Sequence, residues 1–304
     1  MTDDHNSNRP IPTVVLSPSP RSGSSSQPIG VFDSGVGGLT VLRALRRRLP
    51  NESFVYLGDT ARLPYGTKSR DSVLRYSVQA GEFLLSRGVK CLVIACNTAS
   101  SVAVEELRRR FAPTPVIGVI EPGAAAGCVA SRSGGIAVIA TEGTVNGGAY
   151  QGCIARLRPE ARVVARACSL FVSLAEEGWT EGPIVEAIAH RYLDEMFATN
   201  PTLDTLLLGC THFPVLIEAL RKVLGAQIAI VDSAETTAAQ LACELRELAP
   251  NLQSARGRLM LLATDGPERF ARVGSRFLGE VFEPSDVELV DLGIASPARG
   301  NATS

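Results

Sequence analysis

Eight short runs rich in Val, Ile and Leu, at 29–32, 54–57, 92–95, 116–120, 136–140, 163–165, 205–208 and 228–231, alternate with longer amphipathic stretches. A strand covered by helices on both faces has no polar face to show, so it reads as a continuous apolar run. Its helices read with a 3.6-residue period. The alternation predicts an α/β chain built on parallel sheet.

The eight runs divide into two sets of four. Asp33, Asp59, Cys96 and Glu121 stand at the carboxyl ends of the first set, and Thr141, Cys168, Cys210 and Asp232 at those of the second. Corresponding residues are 108 to 114 positions apart, the mark of a duplicated unit. A chain of 304 residues, 45% hydrophobic, has material for two cores. Ligands of parallel sheets bind beyond the carboxyl ends of the strands. Two such domains related by a pseudo-twofold axis would therefore bring both sets of polar ends to one cleft, with a cysteine approaching from each side.

Charge and cysteine usage exclude several classes. The net charge is −1, and the arginines are interspersed with acidic residues instead of forming a basic stripe, so direct nucleic-acid binding is not expected. The seven cysteines and three histidines form neither the close pairs of a zinc site nor a disulfide framework, which fits a reducing cytoplasm. No apolar stretch approaches the roughly eighteen residues of a membrane span. Residues 1–27, rich in Pro and Ser and without the apolar core of a signal peptide, are expected to be a disordered tail, as are residues 291–304.

Three motifs can carry chemistry. Asp33-Ser34-Gly35-Val36-Gly37-Gly38-Leu39-Thr40 follows a strand and invites a nucleotide reading, but Thr40 replaces the last glycine of a dinucleotide fingerprint and the Gly-Lys pair of a phosphate loop is missing. The glycines could also serve turn geometry alone. The other two motifs are Ile94-Ala95-Cys96-Asn97-Thr98-Ala99-Ser100 and Leu208-Gly209-Cys210-Thr211-His212-Phe213-Pro214. A single cysteine ending an apolar strand is most often a small buried hydrophobe. Two at equivalent positions, each followed by polar residues and a helix (101–111 and 215–224), supply a pair of thiols and donors for a carboxylate. Backbone N–H groups in such turns favour anions and are expected to depress a thiol pKa. Cys91, Cys128, Cys153, Cys168 and Cys243 lack such neighbours or a symmetric partner and are expected in the core. Lys68, Lys90 and Lys222 stand away from the carboxyl ends of strands, which argues against a pyridoxal Schiff base. His212, two residues from Cys210, suits proton transfer, although a half-buried structural histidine is the competing reading.

With Pro64-Tyr65-Gly66 and Gly118-Val119-Ile120-Glu121-Pro122 added, these motifs occur in an order that resembles the bacterial glutamate racemases over about residues 28–280. The resemblance implies a cofactor-independent isomerase with no metal site, interconverting L- and D-glutamate for peptidoglycan. It makes Cys96 and Cys210 the acid/base thiols, Asp33 the support of the first, and Glu176 with His212 the support of the second. Asp33, Ser34, Tyr65, Gly66, Asn97, Thr98, Thr211 and His212 would contact substrate. Around Glu176, Ser169, Ser173 and Ala175 replace residues common in the family, leaving Glu177 as the alternative carboxylate; Gly147 stands where a serine is common, and its loop is left out of the expected site. The resemblance also implies that the halves exchange pieces, with 28–115 and 226–280 in the first domain and 116–225 in the second.

Two thiols suit racemisation because a proton must leave one face of the α-carbon and another arrive on the opposite face. The competing functional readings are a racemase of aspartate or another small acid, and a non-catalytic protein that inhibits gyrase. A homodimer and a cell-wall-precursor regulator are left open. The segment 259–278, containing Thr264-Asp265-Gly266-Pro267, resembles a C-terminal element of some racemases and has no assigned role.

Overall fold

The computed structural model describes residues 27–248 and 256–293. The expected tails lie outside these residues except for residue 27 and residues 291–293. The first half runs β1 (Ile29–Asp33), α1 (Leu39–Arg48), β2 (Phe54–Gly58), α2 (Arg70–Ser86), β3 (Cys91–Ile94), α3 (Asn97–Arg110), β4 (Val116–Gly118) and α4 (Ile120–Ala130). The second runs β5 (Gly135–Ala140), α5 (Glu142–Gly147), α6 (Ala149–Leu157), β6 (Arg162–Ala167), α7 (Leu170–Glu177), α8 (Pro183–Ala198), β7 (Leu203–Gly209), α9 (Ile217–Leu224), β8 (Ala229–Asp232) and α10 (Ser233–Leu248). The chain then continues through β9 (Leu259–Ala263), α11 (Pro267–Leu278) and β10 (Val287–Leu289).

These strands form two parallel sheets, ordered β10-β9-β2-β1-β3-β4 and β6-β5-β7-β8. The shared order 2-1-3-4 and 6-5-7-8 is the duplication read from the sequence, now expressed as topology. All eight expected strands are present, and β9 and β10 are additions. Strand β9 pairs with β2 in the register Phe54↔Leu259 to Gly58↔Ala263, so the segment beginning at Leu259 extends the first sheet. The sheets divide the chain at points that differ from the expected domain limits. Strand β4 pairs with β3 and belongs to the first sheet, whereas β8 pairs with β7 and belongs to the second. The duplicated unit contains four strands, and its last strand completes its own sheet before the chain crosses over.

Each sheet is apolar on both sides, as continuous apolar runs require. Ile29 and Val31 of β1 pack into one cluster with Leu39, Leu42 and Phe277, while Phe32 points into another with Leu84 and Leu107. The second sheet is likewise sandwiched, with Ile139 and Leu208 on one side and Ile136, Val138 and Leu207 on the other. Full burial of such side chains contributes about 1.5–3 kcal/mol each. Helix ends are defined by local chemistry. Ser69 caps α2 by accepting the Ser72 N–H, Pro183 occupies the first turn of α8, and α11 lies between Gly266 and Gly279, both left-handed, with Pro267 at its start.

Candidate active site

Strand β3 ends at Ile94, and Cys96 becomes the N-cap of α3, its Sγ accepting the Ala99 N–H at 3.4 Å. The thiol donates to Ser34 Oγ at 3.5 Å. Asp33 lies behind it in full burial, with Oδ2 accepting the Gly35 N–H at 2.9 Å. Burial and the neighbouring Asp33 charge push the Cys96 thiol up to about 12, outweighing the Ala99 N–H and Ser34. The expected depression of this thiol is thus overturned: one amide at a helix start does not offset removal from water beside a carboxylate. Asp33 is itself raised by burial, against the pull of His212 and of the N–H groups of Gly35, Gly38 and Ser34.

On the other side, Cys210 follows β7, and its Sγ lies 3.8 Å from His212 Nδ1. Nε2 of the same imidazole is 3.0 Å from Glu176 Oε1. Burial opposes a charged His212, but hydrogen bonds to Cys210 and Glu176, with their charges, raise its pKa from 6.5 to about 10. Burial likewise raises Glu176, yet His212 and Arg269 outweigh it and hold the carboxyl below its ordinary value. The choice between adjacent carboxylates is decided by helix phase. Glu176 on α7 faces the histidine, whereas Glu177 is exposed.

The two thiols line one cavity of about 170 Å³. Ser34, Tyr65, Gly66, Asn97, Thr98, Thr211 and His212, all expected substrate contacts, are among its walls. Asp33 and Glu176 are not; they stand behind Cys96 and His212. Pro64, Thr67, Thr141, Ser169, Val172 and Ser173 also line it and were missed by sequence reasoning. Thr141 carried a signal, since it aligned with Asp33 in the duplication. Its hydroxyl forms a triangle with Thr98 and Thr144, with oxygen separations of 3.0, 3.2 and 3.1 Å. Tyr150, also missed, donates to Asn97 Oδ1 at 2.7 Å across the two halves.

Close backbone approach explains the glycines better than phosphate binding does. A Cβ on Gly37 would lie 2.4 Å from both His212 Nδ1 and Thr211 Oγ1, and one on Gly66 would lie 2.8 Å from Thr141 Cβ. Thr40 donates to the Thr211 carbonyl at 2.9 Å, fastening the first motif to the third. Two buried polar atoms, Asp33 Oδ1 and Asn97 Nδ2, have no hydrogen-bond partner among the described residues.

The remaining sequence candidates lie elsewhere. Glu121 pairs with Arg108 at 2.8 Å, and none of the three lysines lines the cavity. Cys91, Cys153 and Cys168 are buried and Cys128 is partly so, but Cys243 is exposed. Its expected place in the core is corrected by its position on the outer face of α10. Among the described residues, no group of three or more His, Cys, Asp or Glu side chains is placed to hold a metal, and no helix is long and apolar enough to cross a membrane.

A glutamate racemase of Geobacter metallireducens is 49% identical to this chain over 254 residues, covering 83% of the chain and 92% of the relative. The crystal structure of the Francisella tularensis glutamate racemase in complex with D-glutamate has a TM-score of 0.81 and 37% identity, covering 88% of this chain and 99% of that one. The Thermus thermophilus glutamate racemase, solved with beta-chloro-D-alanine, has a TM-score of 0.79 and 42% identity, covering 88% and 98%. The family model described as Asp/Glu/Hydantoin racemase matches residues 29–241, which span both cysteine motifs and all eight duplicated strands. By sequence, by topology and by the paired thiols at the ends of β3 and β7, the chain belongs to the Asp/Glu/Hydantoin racemase family.

Proposed function

We propose that the chain interconverts L- and D-glutamate by a two-base mechanism and thereby supplies D-glutamate for peptidoglycan. The observation that carries this reading is the placement of Cys96 and Cys210 on one cavity, each delivered by its own half of the fold. Relatives named glutamate racemase, one of them solved with D-glutamate, support the choice of substrate. The cavity's volume of about 170 Å³ suits a small amino acid.

In the L-to-D direction, Cys210 takes the α-proton as an S–H bond forms and the C–H bond breaks, and His212 in its imidazolium form stabilises the thiolate that serves as base. Cys96 then delivers its own proton to the opposite face. A thiol at about 12 retains that proton until the carbanion forms. In the reverse direction the roles exchange, with Asp33 supporting Cys96. Developing charge on the α-carboxylate is met by the free Asn97 Nδ2 donor and by hydroxyls of Ser34, Thr98 and Thr211 that line the cavity.

The test follows optical rotation of L-glutamate and L-aspartate with the purified chain, after dialysis against chelator and hydroxylamine. Loss of rotation with glutamate alone is expected. Racemisation of aspartate in preference to glutamate would move the assignment to the shorter acid, and activity restored only by pyridoxal phosphate would overturn the cofactor-independent mechanism.

A further inference from the structure

Segment 259–278, which sequence analysis left without a role, contributes a helix that reaches from the first sheet onto the base relay of the second half. From α11, Arg269 Nη2 meets Glu176 Oε2 at 2.6 Å. About two turns further along the same face of the helix, Arg276 Nη1 donates to the Glu176 carbonyl at 3.2 Å. Phe277 sets its ring edge-to-face with His212, with centroids 5.1 Å apart. The fit depends on Gly178 (φ +79°) at the end of α7, where a Cβ would meet the Arg276 guanidinium at 2.4 Å. Three side chains of one helix therefore converge on the Glu176–His212 pair.

The two oxygens of Glu176 are divided between partners: Oε1 faces His212 and Oε2 faces Arg269. A carboxylate held at one oxygen by a guanidinium has its other oxygen fixed in direction. We propose that Arg269 is a positioning residue for the Cys210 side of the site only, aiming Glu176 at His212 and thereby orienting the imidazole that serves Cys210. Nothing equivalent from α11 touches Cys96, whose described partners are Ser34 and the Ala99 N–H. The two thiols thus differ in how their supports are built. Asp33 acts from within its own half, while Glu176 depends on a helix packed on the opposite sheet. This inference rests on the proposed racemase reading.

Racemisation rates cannot separate the two sides, because an equilibrium constant of one obliges kcat/KM to be equal in both directions. Elimination can. In glutamate bearing chloride on the β-carbon, one cysteine removes the α-proton, the C–Cl bond breaks with its electron pair leaving as chloride, and a C=C bond forms, so only one base is used. The experiment compares chloride release from the two α-enantiomers by the full chain, R269A and R269K, alongside glutamate racemisation and thermal midpoints. Arg269 is 47% exposed and Glu176 17%, so the effect is that of a partly screened ion pair. R269A is expected to slow release from the L enantiomer by about three- to fivefold and to leave the D enantiomer within roughly twofold of wild type. R269K, which retains the charge, should recover at least about half of the loss.

Equal losses for both enantiomers would show that α11 merely holds the halves together and would overturn the proposal. So would an unchanged R269A, or an R269K no better than R269A, in a wild-type background that racemises glutamate. If the wild-type chain does not racemise glutamate, the functional reading itself fails, and this inference with it.

Discussion

Gly37 and His212 lie so close that a methyl group on the glycine would sit 2.4 Å from the imidazole Nδ1, the same atom that faces Cys210. The glycine turn of the first half therefore forms a wall of the Cys210–His212 pair in the second. Gly37→Ala should displace His212 and Thr211 by a substantial fraction of an ångström. A shift of that order at reacting groups costs up to about a hundredfold in rate, while overpacking costs about 1–3 kcal/mol in stability. Kinetics and urea unfolding of the same variant check both figures, and near-wild-type kcat/KM would show that the loop yields instead of the histidine.

The thiols should not be interchangeable. Cys96→Ser and Cys210→Ser are each expected to abolish glutamate racemisation while preserving folding and glutamate binding, because a serine hydroxyl is a far weaker base than a thiolate. With the β-chloro analogue, Cys210→Ser should retain elimination from the D enantiomer and Cys96→Ser from the L enantiomer. A variant that racemises at near the wild-type rate would refute the two-thiol mechanism. Retention of the same enantiomer by both would reverse only the facial assignment.

Stability should depend on the His212 charge over a defined range. Its folded pKa, about 10, lies above the ordinary value of 6.5. A raised value means that the folded state holds the proton more tightly, so the contribution is complete below about 6.5 and declines as pH rises toward 10. Glu176, held low, acts in the opposite sense: its contribution is present above about 4.5 and is lost only as pH falls into acid. Chemical denaturation of the wild type and His212→Asn between about pH 6 and 9 should show a stability gap that narrows steadily as pH rises. A gap independent of pH would mean that folding leaves the histidine at its ordinary pKa, and a gap that widens with pH would mean that it is neutral in the folded protein.

Because the cavity walls come from both halves, either enantiomer of glutamate should stabilise the folded chain. A ligand present at a hundredfold excess over its Kd adds about 2.7 kcal/mol when it binds only the native state. Thermal midpoints with L- and D-glutamate, against a control with glutarate, measure it. No rise at saturating concentration would remove glutamate as the ligand.

The strands of the duplicated unit were legible because burial on both faces writes itself locally as a continuous apolar run, readable without knowing the partner. The cysteines were legible for a related reason: both stand at the same point in a repeated strand-to-helix turn. Strand β10 was not, since three residues of an edge strand with two exposed positions leave too short a signal. Strand β9 borders β2, some two hundred residues earlier, and its place depends on that pairing.

Sequence by itself determined the α/β class, the eightfold strand pattern, the paired thiols with their polar neighbours and, through the ordered motifs, the family. Tertiary structure decided which carboxylate contacts His212, because Glu176 and Glu177 are adjacent in the chain and only the packing of α7 separates them. It decided that Asp33 and Glu176 stand behind the cavity instead of lining it, that Tyr150 and Thr141 reach Asn97 and Thr98, and that α11 lends Arg269 to the other half. The physical reason is the same in each case. Periodicity and turn chemistry are written in neighbouring residues, whereas a hydrogen bond across a cleft depends on the relative placement of two sheets, which no local stretch of sequence encodes.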